Sequence, residues 1–247
     1  MSEGGHGHSP LAQFEVHPLI PFKVGGLDLS FTNASLWMMI AIAAASFLLF
    51  MGVRNRALVP NRWQAFSEML IQFISTTVHE NAGREAMKFF PLIFSLFIFI
   101  LFCNLAGMIP MSFTVTSHII VTFAFAACLF LFFTLYAIAK HGLGKFLHFF
   151  LPPGTPLAMA PLMYFIELFS YLARPVSLSV RLAANMMAGH TMLKVLAGFV
   201  VAMGIWGVAP FSFLLVMTGF EIGIAILQAY IFTVLTCVYL NDALHLH

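Results

Sequence analysis

Charged residues are the class this chain has least of. Only 8% of its 247 residues are charged, whereas a soluble domain carries about 25%. Its composition is 61% hydrophobic, with a mean hydropathy of +0.98. These values exclude an ordinary soluble domain and predict an integral membrane protein. The net charge of +2 is too small to favour nucleic acid as a partner, so we predict none.

Cysteine is also scarce, and the sequence shows no recognisable metal-binding or hydrolase motif. The three cysteines, Cys103, Cys128 and Cys237, lie singly in apolar runs, where cysteine usually serves as a small packing residue. A His-Glu-x-x-His helix and a Gly-x-Ser-x-Gly elbow are both absent from the sequence. His6, His8 and His17 could touch a metal, but a loose tail is the favoured interpretation. We therefore predict no cofactor, no metal site and no catalytic residue.

Long apolar runs are the dominant feature that is present. Runs at about 34–53, 89–109 and 115–139 are each long enough to cross a bilayer once. Residues 61–80 differ, because Trp63, Phe66, Leu70 and Phe73 recur at spacings of three and four. That spacing predicts an amphipathic helix on the membrane surface or docked on its neighbours.

The last third contains two runs that are too long for upright crossings. Residues 161–203, interrupted by Pro175, would form a helix about 64 Å long, whereas the hydrocarbon core is about 30 Å thick. Residues 211–240 form a second long run, after a turn at 204–210. We predict an all-α, polytopic integral membrane protein with three roughly upright crossings, one amphipathic surface helix and a long, steeply tilted C-terminal helical hairpin. Residues 1–30 would be extramembrane and 31–247 a single membrane domain.

Positive charges predict the orientation of the chain. They follow the first run, at Arg54 and Arg62, and the third run, at Lys140 and Lys145, in a predicted loop that ends near Pro156. The loop after the second run, beginning at Pro110, carries none. The positive-inside rule then places the N-terminus outside and the C-terminus inside.

Arg181 is a permanent charge deep in an apolar run, where a cation is costly and usually functional. At 100° per residue, Arg174 and Arg181 share a helix face, and Leu178 and Asn185 are predicted to lie on the same stripe. Glu167 continues that stripe by two further turns, and His190 points to the opposite side.

The last helix carries a second polar pair on one face, Glu221 and Gln228. A hairpin would bring Glu221 near His190 and Gln228 near Arg181. Arg181 and Glu221 both lie far inside apolar runs and predict an ion or substrate path. For Arg174, Glu167 and Lys194, snorkelling or structural pairing is an equal alternative.

Four segments carry a resemblance to a known family. Residues 174–190, with Arg174-Pro175 at the start and Gly189-His190 at the end, resemble the signature of subunit a of F-type ATP synthases. Residues 227–235 resemble the last-helix motif of that family, and 104–110 and 140–145 resemble its second and third crossings, in the same order. The resemblance covers roughly residues 30–240.

This resemblance implies a non-catalytic, proton-translocating stator subunit of the ATP synthase complex. Its partners would be the oligomeric ring of c subunits, b-type peripheral stalk subunits and membrane lipid. Arg181 would be the essential arginine between two half-channels leading to the ring carboxylates. The bacterial inner membrane is the implied location, with the mitochondrial inner membrane as the alternative.

The resemblance also assigns the remaining polar positions. Asn185, Gln228, Glu167 and Asn104 match polar positions along or beside the proton path. His190 and Glu221 match an acid–imidazole pair whose order is reversed in many bacterial relatives. Gly107 stands where some relatives carry an acid, which leaves no acid for that position here.

Two other function classes stay open at this stage. A carrier with a midplane Arg–Glu substrate site would usually show internal symmetry, and no repeat is visible in the sequence. An intramembrane hydrolase could use His190 and Glu221, although it would lack a known motif. Co-purification with an oligomeric proteolipid ring would distinguish the first class from both. The sequence does not separate H⁺ from Na⁺ as the transported ion.

Overall fold

A computed structural model gives the fold of most of the chain. It describes residues 16–21, 23–24, 27–28, 30–54, 57, 59–109, 112–151 and 159–245. His6 and His8 and the predicted segment ends at Pro110 and Pro156 lie outside the described residues.

The described residues are mainly helical, which confirms the predicted all-α, polytopic class. Within the described ranges, five helical segments are long and apolar enough to cross a membrane, at Asn33–Arg54, Arg84–Gly107, Ile119–His141, Ala160–Ala202 and Val208–Leu244. The α-helices are α1 (Asn33–Arg54), α2 (Arg62–Ala82), α3 (Phe90–Gly107), α4 (Ile119–His141), α5 (Leu143–Phe149), α6 (Ala160–Ala202) and α7 (Val208–Leu244). Short 3-10 helices span Arg84–Phe89, Val115–Ser117 and Gly204–Gly207. The inclination of α6 and α7 to the bilayer stays a prediction.

Two small antiparallel strand pairs precede α1, which the sequence interpretation did not include. Strand β1 (Pro18–Ile20) pairs with β4 (Phe31–Thr32), and β2 (Lys23–Val24) pairs with β3 (Leu27–Asp28). The hydroxyl of Thr32 then accepts a hydrogen bond from the backbone N–H of Ser35, which is how a threonine caps a helix N-terminus. The strands therefore lead directly into α1.

Local sequence sets the ends of the amphipathic helix α2. The side chain of Asn61 accepts a 2.7 Å hydrogen bond from the backbone N–H of Arg62, so an N-cap residue starts the helix. Gly83 ends it with a φ of 77°, a conformation that glycine adopts without a steric penalty. The chain can therefore turn from α2 into the 3-10 helix that precedes α3.

The predicted loop after the third crossing is wrong in part. Residues Leu143–Phe149 form the short helix α5, separated from α4 by Gly142 at a φ of 84°. Leu143, Phe146 and Phe150 have the spacing of a helix face, and Phe146 and Phe150 are buried. Glycine residues in this stretch suggested a loop, but here one glycine only separates two helices.

The third crossing also begins later than predicted. Residues Val115–Ser117 form a buried 3-10 turn, and α4 starts at Ile119 rather than near residue 115. The hydroxyl of Ser117 donates to the Thr114 carbonyl at 2.6 Å. Small hydroxyl side chains compete in this way with a helix for backbone hydrogen bonds. The polar residues before Ile119 therefore form a buried turn and not the first turn of α4.

The described part of the chain divides into two compact units. The first contains the chain up to Phe47, together with Phe99–His118 and Leu182–Ala229. The second contains Leu48–Ile98, Ile119–Arg181 and the chain from Tyr230 onward. Four of the five boundaries fall within α1, α3, α6 and α7, and the fifth falls where α4 begins. Whether residues 31–247 act as one membrane domain stays a prediction.

Candidate functional site

In the first unit, α7 directs a row of polar and small side chains inward. Glu221, Ala225, Gln228 and Ala229 are all buried, with 4%, 0%, 2% and 0% of their surface exposed. Residues spaced by three and four share a face of an α-helix. The row is therefore one helix face that carries a carboxyl group and an amide into the interior.

His190 on α6 meets that row at Glu221. The imidazole Nδ1 lies 3.6 Å from the carboxyl Oε1, slightly beyond ordinary hydrogen-bonding distance. Both residues are buried. The predicted adjacency of this pair is confirmed, while its role in proton transfer stays a prediction.

Gly189 provides the space in which the Glu221 carboxyl group lies. A Cβ atom at this position would come within 2.5 Å of Glu221 Oε1 and 2.9 Å of its Cδ. Any larger residue would therefore displace the carboxyl group. Gly189 was noted only as part of the family signature, and the contact with α7 gives it a physical reason.

Two amide side chains extend the polar row of the first unit. The Asn185 Nδ2 donates to Gln228 Oε1 at 3.4 Å, and the fully buried Asn104 Nδ2 donates to the Ala225 carbonyl at 3.1 Å. Asn104 comes from α3, so three helices supply this row. The structure thus brings together Asn104, Asn185, His190, Glu221 and Gln228.

Several atoms of these side chains are buried without a hydrogen-bond partner among the described residues. They are Asn104 Oδ1, His190 Nε2, both carboxyl oxygens of Glu221 and Gln228 Nε2. Of these residues, Glu221 also lines a partly open cavity of about 300 Å³. Its lining comprises Asn185, Ala188, Gly189, Met192, Leu193, Met217, Phe220, Glu221 and Ile224.

The second unit contains Arg181, which is exposed at the surface of α6. None of the ion pairs or side-chain hydrogen bonds recorded among the described residues involves its guanidinium group. A shallow groove of about 680 Å³ runs along the same helix face. The groove is lined by Phe169, Leu172, Ala173, Val176, Ser177, Val180 and Arg181.

Leu178 does not share the exposed face of Arg181, so that sequence prediction is wrong. Leu178 and Ser179 are buried, with 2% and 0% of their surface exposed. The Thr122 hydroxyl on α4 donates to the Ser179 carbonyl at 3.2 Å, which places this side of α6 against α4. The exposed face instead passes through Ala173 and Ser177 to Arg181.

Arg174 has structural partners in the second unit. Its Nη1 donates to Oδ2 of Asp242, and its Cζ lies 5.7 Å from the Tyr171 ring centroid and 6.0 Å from that of Tyr239. The pairing alternative for Arg174 is therefore confirmed. The sequence interpretation missed Asp242, because a charged residue near the C-terminus is ordinary and did not suggest a functional or structural role.

The other two ambiguous charges have no recorded partner in the part of the chain that the structure describes. Glu167, in the second unit, is half-exposed, and Lys194 is exposed. A role for Glu167 and the predicted proximity of Gln228 to Arg181 stay predictions. No group of three His, Cys, Asp or Glu side chains among the described residues could hold a metal ion.

The arrangement suits movement of protons better than chemistry on a substrate. Carboxyl and imidazole groups both exchange protons, and amides can donate and accept hydrogen bonds. A guanidinium group is a fixed cation. Among the described site residues, the first unit therefore holds groups that exchange protons. The second unit holds an exposed permanent charge.

Two comparisons with known proteins agree with a site that moves protons. A family model described as ATP synthase A chain matches residues 35–241. ATP synthase subunit a of Parvibaculum lavamentivorans is 52% identical to the chain over 249 residues, covering 98% of this chain and 95% of that protein.

Proposed function

We propose that this chain, which belongs to the ATP synthase A chain family, is the proton-conducting stator subunit of an ATP synthase. It conducts protons to and from the carboxylates of a c-subunit ring through two half-channels, with Arg181 between them. The subunit itself is non-catalytic, and the ring rotates as protons pass. The observation that carries the proposal is an exposed, permanently charged Arg181 on a face of a membrane helix whose other residues are small or apolar.

The face around Arg181 suits a passing helix that carries a carboxylate. Ala173 and Ser177 are small and exposed along the groove that ends at Arg181, so another helix backbone can approach closely. A cation beside a carboxylate favours the ionised form of that carboxylate. A ring carboxylate at Arg181 therefore gives up its proton, and protons cannot pass straight from one half-channel to the other.

The polar row of the first unit provides one half-channel. Buried polar atoms without protein partners are usually bonded to ordered water, and the adjacent cavity of about 300 Å³ has room for several water molecules. His190 and Glu221 exchange protons with that water, and Asn185, Gln228 and Asn104 continue the hydrogen-bonded path. Glu167 is a further polar position along or beside the proton path.

Location and assembly follow from the same proposal. The subunit lies in a bacterial inner membrane with its N-terminus outside and its C-terminus in the cytoplasm, as the positions of Arg54, Arg62, Lys140 and Lys145 indicate. It contacts the c-subunit ring, b-type peripheral stalk subunits and lipid. We take H⁺ as the transported ion, because an imidazole–carboxyl pair exchanges protons.

Substitution of Arg181 tests the proposed function. Arg181→Ala in the intact complex should abolish ATP-driven proton pumping in membrane vesicles and leave assembly intact, with a raised passive proton leak. Arg181→Lys should also fail, because an ammonium group lacks the planar donor fork of arginine. Arg54→Ala is the matched control, since Arg54 is an exposed cation at the end of α1, and it should pump normally.

Normal pumping by Arg181→Ala would contradict the proposal. A sodium dependence of ATP synthesis that survives protonophore treatment would overturn the assignment of H⁺ as the transported ion. A complex purified without an oligomeric proteolipid ring would favour the carrier class.

A further inference from the structure

Arg174 lies on α6 two turns before Arg181, and its side chain connects several helices of the second unit. It donates to Asp242 on α7, and the ring of Tyr239 on the same helix lies 6.0 Å from its Cζ. Tyr171, one turn before Arg174, lies 5.7 Å away and bonds through its hydroxyl to Thr134 Oγ1 on α4 at 2.7 Å. The cluster formed by these five residues, the Arg174 cluster, ties α6 to both α4 and α7.

The Arg174 cluster lies where the backbone of α6 is weakest. Pro175 follows Arg174 directly inside the helix. A proline has no N–H, so the helix lacks the hydrogen bond that residue 175 would donate to the carbonyl of Tyr171. Such a position permits bending and twisting. The side-chain contacts of Tyr171 and Arg174 hold the helix at the turn where one of its own hydrogen bonds is missing.

The position of the cluster also determines which residues α6 exposes. Seven residues correspond to about 10.5 Å along a helix and to a rotation about its axis of roughly 20° from two full turns. Arg174 and Arg181 therefore point in nearly the same direction. If α6 turned about its axis, Arg174 would lose Asp242, and the exposed face at Ser177 and Arg181 would change direction with it.

We propose that Arg174 and Asp242 are positioning residues for Arg181, because their ion pair fixes the rotation of α6 beside Pro175 and so keeps Arg181 exposed. This inference rests on the proposed role of Arg181. Neither residue contacts the transported proton. An arginine–carboxylate pair whose guanidinium group lies near two aromatic rings is geometrically specific, so it can fix the rotation of a helix.

A second ion pair in the same unit provides a matched control. Lys140 Nζ lies 3.2 Å from Oε2 of Glu85, with 34% and 63% of the two side chains exposed. Both side chains of the Arg174–Asp242 pair are only 28% exposed. Glu85 does not contact α6 through this pair, and exposed ion pairs contribute little to stability.

The experiment measures the orientation of α6 and the function together in the intact complex. Single cysteines at Ser177, which is exposed, and at Leu178, which is buried, are labelled with a small maleimide in membrane vesicles. In the parent background the cysteine at Ser177 should react much faster than the cysteine at Leu178. Asp242→Asn, which keeps the size of the side chain, should reduce that contrast by at least half and lower the number of protons pumped per ATP hydrolysed.

The charge exchange of Arg174→Asp with Asp242→Arg should restore part of both values, whereas Glu85→Gln should change neither. If Asp242→Asn subunits fail to reach the membrane, Arg174→Lys replaces them and should give an intermediate contrast. An unchanged labelling contrast in either variant would overturn the inference, and so would a changed contrast with normal pumping. These outcomes are independent of Arg181→Ala, whose normal pumping would instead overturn the proposed function.

Discussion

Two acid–base pairs in this chain differ in how completely their polar atoms are satisfied. In the second unit, Arg174 donates directly to Asp242 and lies beside two aromatic rings. In the first unit, His190 and Glu221 are 3.6 Å apart, and three of their nitrogen and oxygen atoms have no hydrogen-bond partner among the described residues. We call the Arg174–Asp242 pair closed, because its members are bonded to each other. We call the His190–Glu221 pair open, because polar atoms of both members lack a partner among the described residues.

This difference distinguishes buried polar residues that hold a membrane protein together from those that serve its function. A buried polar atom that lacks a partner costs roughly 1–3 kcal/mol, so an open pair is expected only where water or a proton completes it. Glu221 of the open pair also lines a cavity of about 300 Å³. We therefore expect changes at the open pair to reduce proton flow and changes at the closed pair to alter helix position.

The largest effect is expected from Gly189→Ala, which changes the open pair without removing either member. The new Cβ would lie 2.5 Å from Glu221 Oε1, so the carboxyl group must move away. Alanine favours a helix over glycine by about 1 kcal/mol, and assembly should therefore be preserved. ATP-driven proton pumping in vesicles should fall to a small fraction of the parent rate.

Gly198→Ala is the control for this prediction. Gly198 lies on the same helix, and a Cβ there would have no atom within 4 Å. It should pump at the parent rate. Parent-like pumping by Gly189→Ala as well would show that the position of the Glu221 carboxyl group does not matter.

An intermediate effect is expected when the two members of the open pair are exchanged. His190→Glu and Glu221→His should each impair pumping, because each leaves two groups of the same kind side by side. The double exchange should pump better than the two single deficits predict, since the carboxyl and imidazole groups are again both present. The measurement is the initial pumping rate of the three variants at matched subunit content. Deficits that simply add in free energy would mean that the residues are not coupled.

Helices and the polar row were predictable from the sequence because both follow from periodicity. Apolar runs identify membrane helices, and residues seven apart share a face. The adjacency of His190 and Glu221 followed from the placement of two long helices in a hairpin. These features depend on local sequence and one short connection.

The orientation of α6 was not predictable in the same way. Leu178 was placed with Arg181 because the polar residues define one stripe, yet Leu178 is buried, and the next residue, Ser179, accepts a hydrogen bond from Thr122 on α4. The helix face that packs is chosen by a neighbour distant in sequence. Asp242 near the C-terminus was missed as well, since only the fold brings it to Arg174.

The smallest effect on pumping is expected at Asn104. Its side-chain amide contains one group that makes a hydrogen bond and one that does not. Its Nδ2 donates to the Ala225 carbonyl, and its Oδ1 is buried without a partner among the described residues. Asn104→Leu removes both groups. The Ala225 carbonyl can keep its bond within α7, so the loss of stability should be about 1 kcal/mol. Assembly should be nearly normal.

Proton pumping distinguishes the two groups of Asn104. If Oδ1 lies on a hydrated path, Asn104→Leu should reduce the pumping rate, and Asn104→Asp, which keeps the oxygen, should reduce it less. Ser95→Ala on the same helix is the control, because the Ser95 hydroxyl donates only to the Leu92 carbonyl of its own helix among the described residues. It should pump normally. If Asn104→Leu pumps at the parent rate, a buried polar atom without a hydrogen-bond partner does not by itself identify the proton path. The distinction between open and closed pairs would then depend on His190 and Glu221 alone.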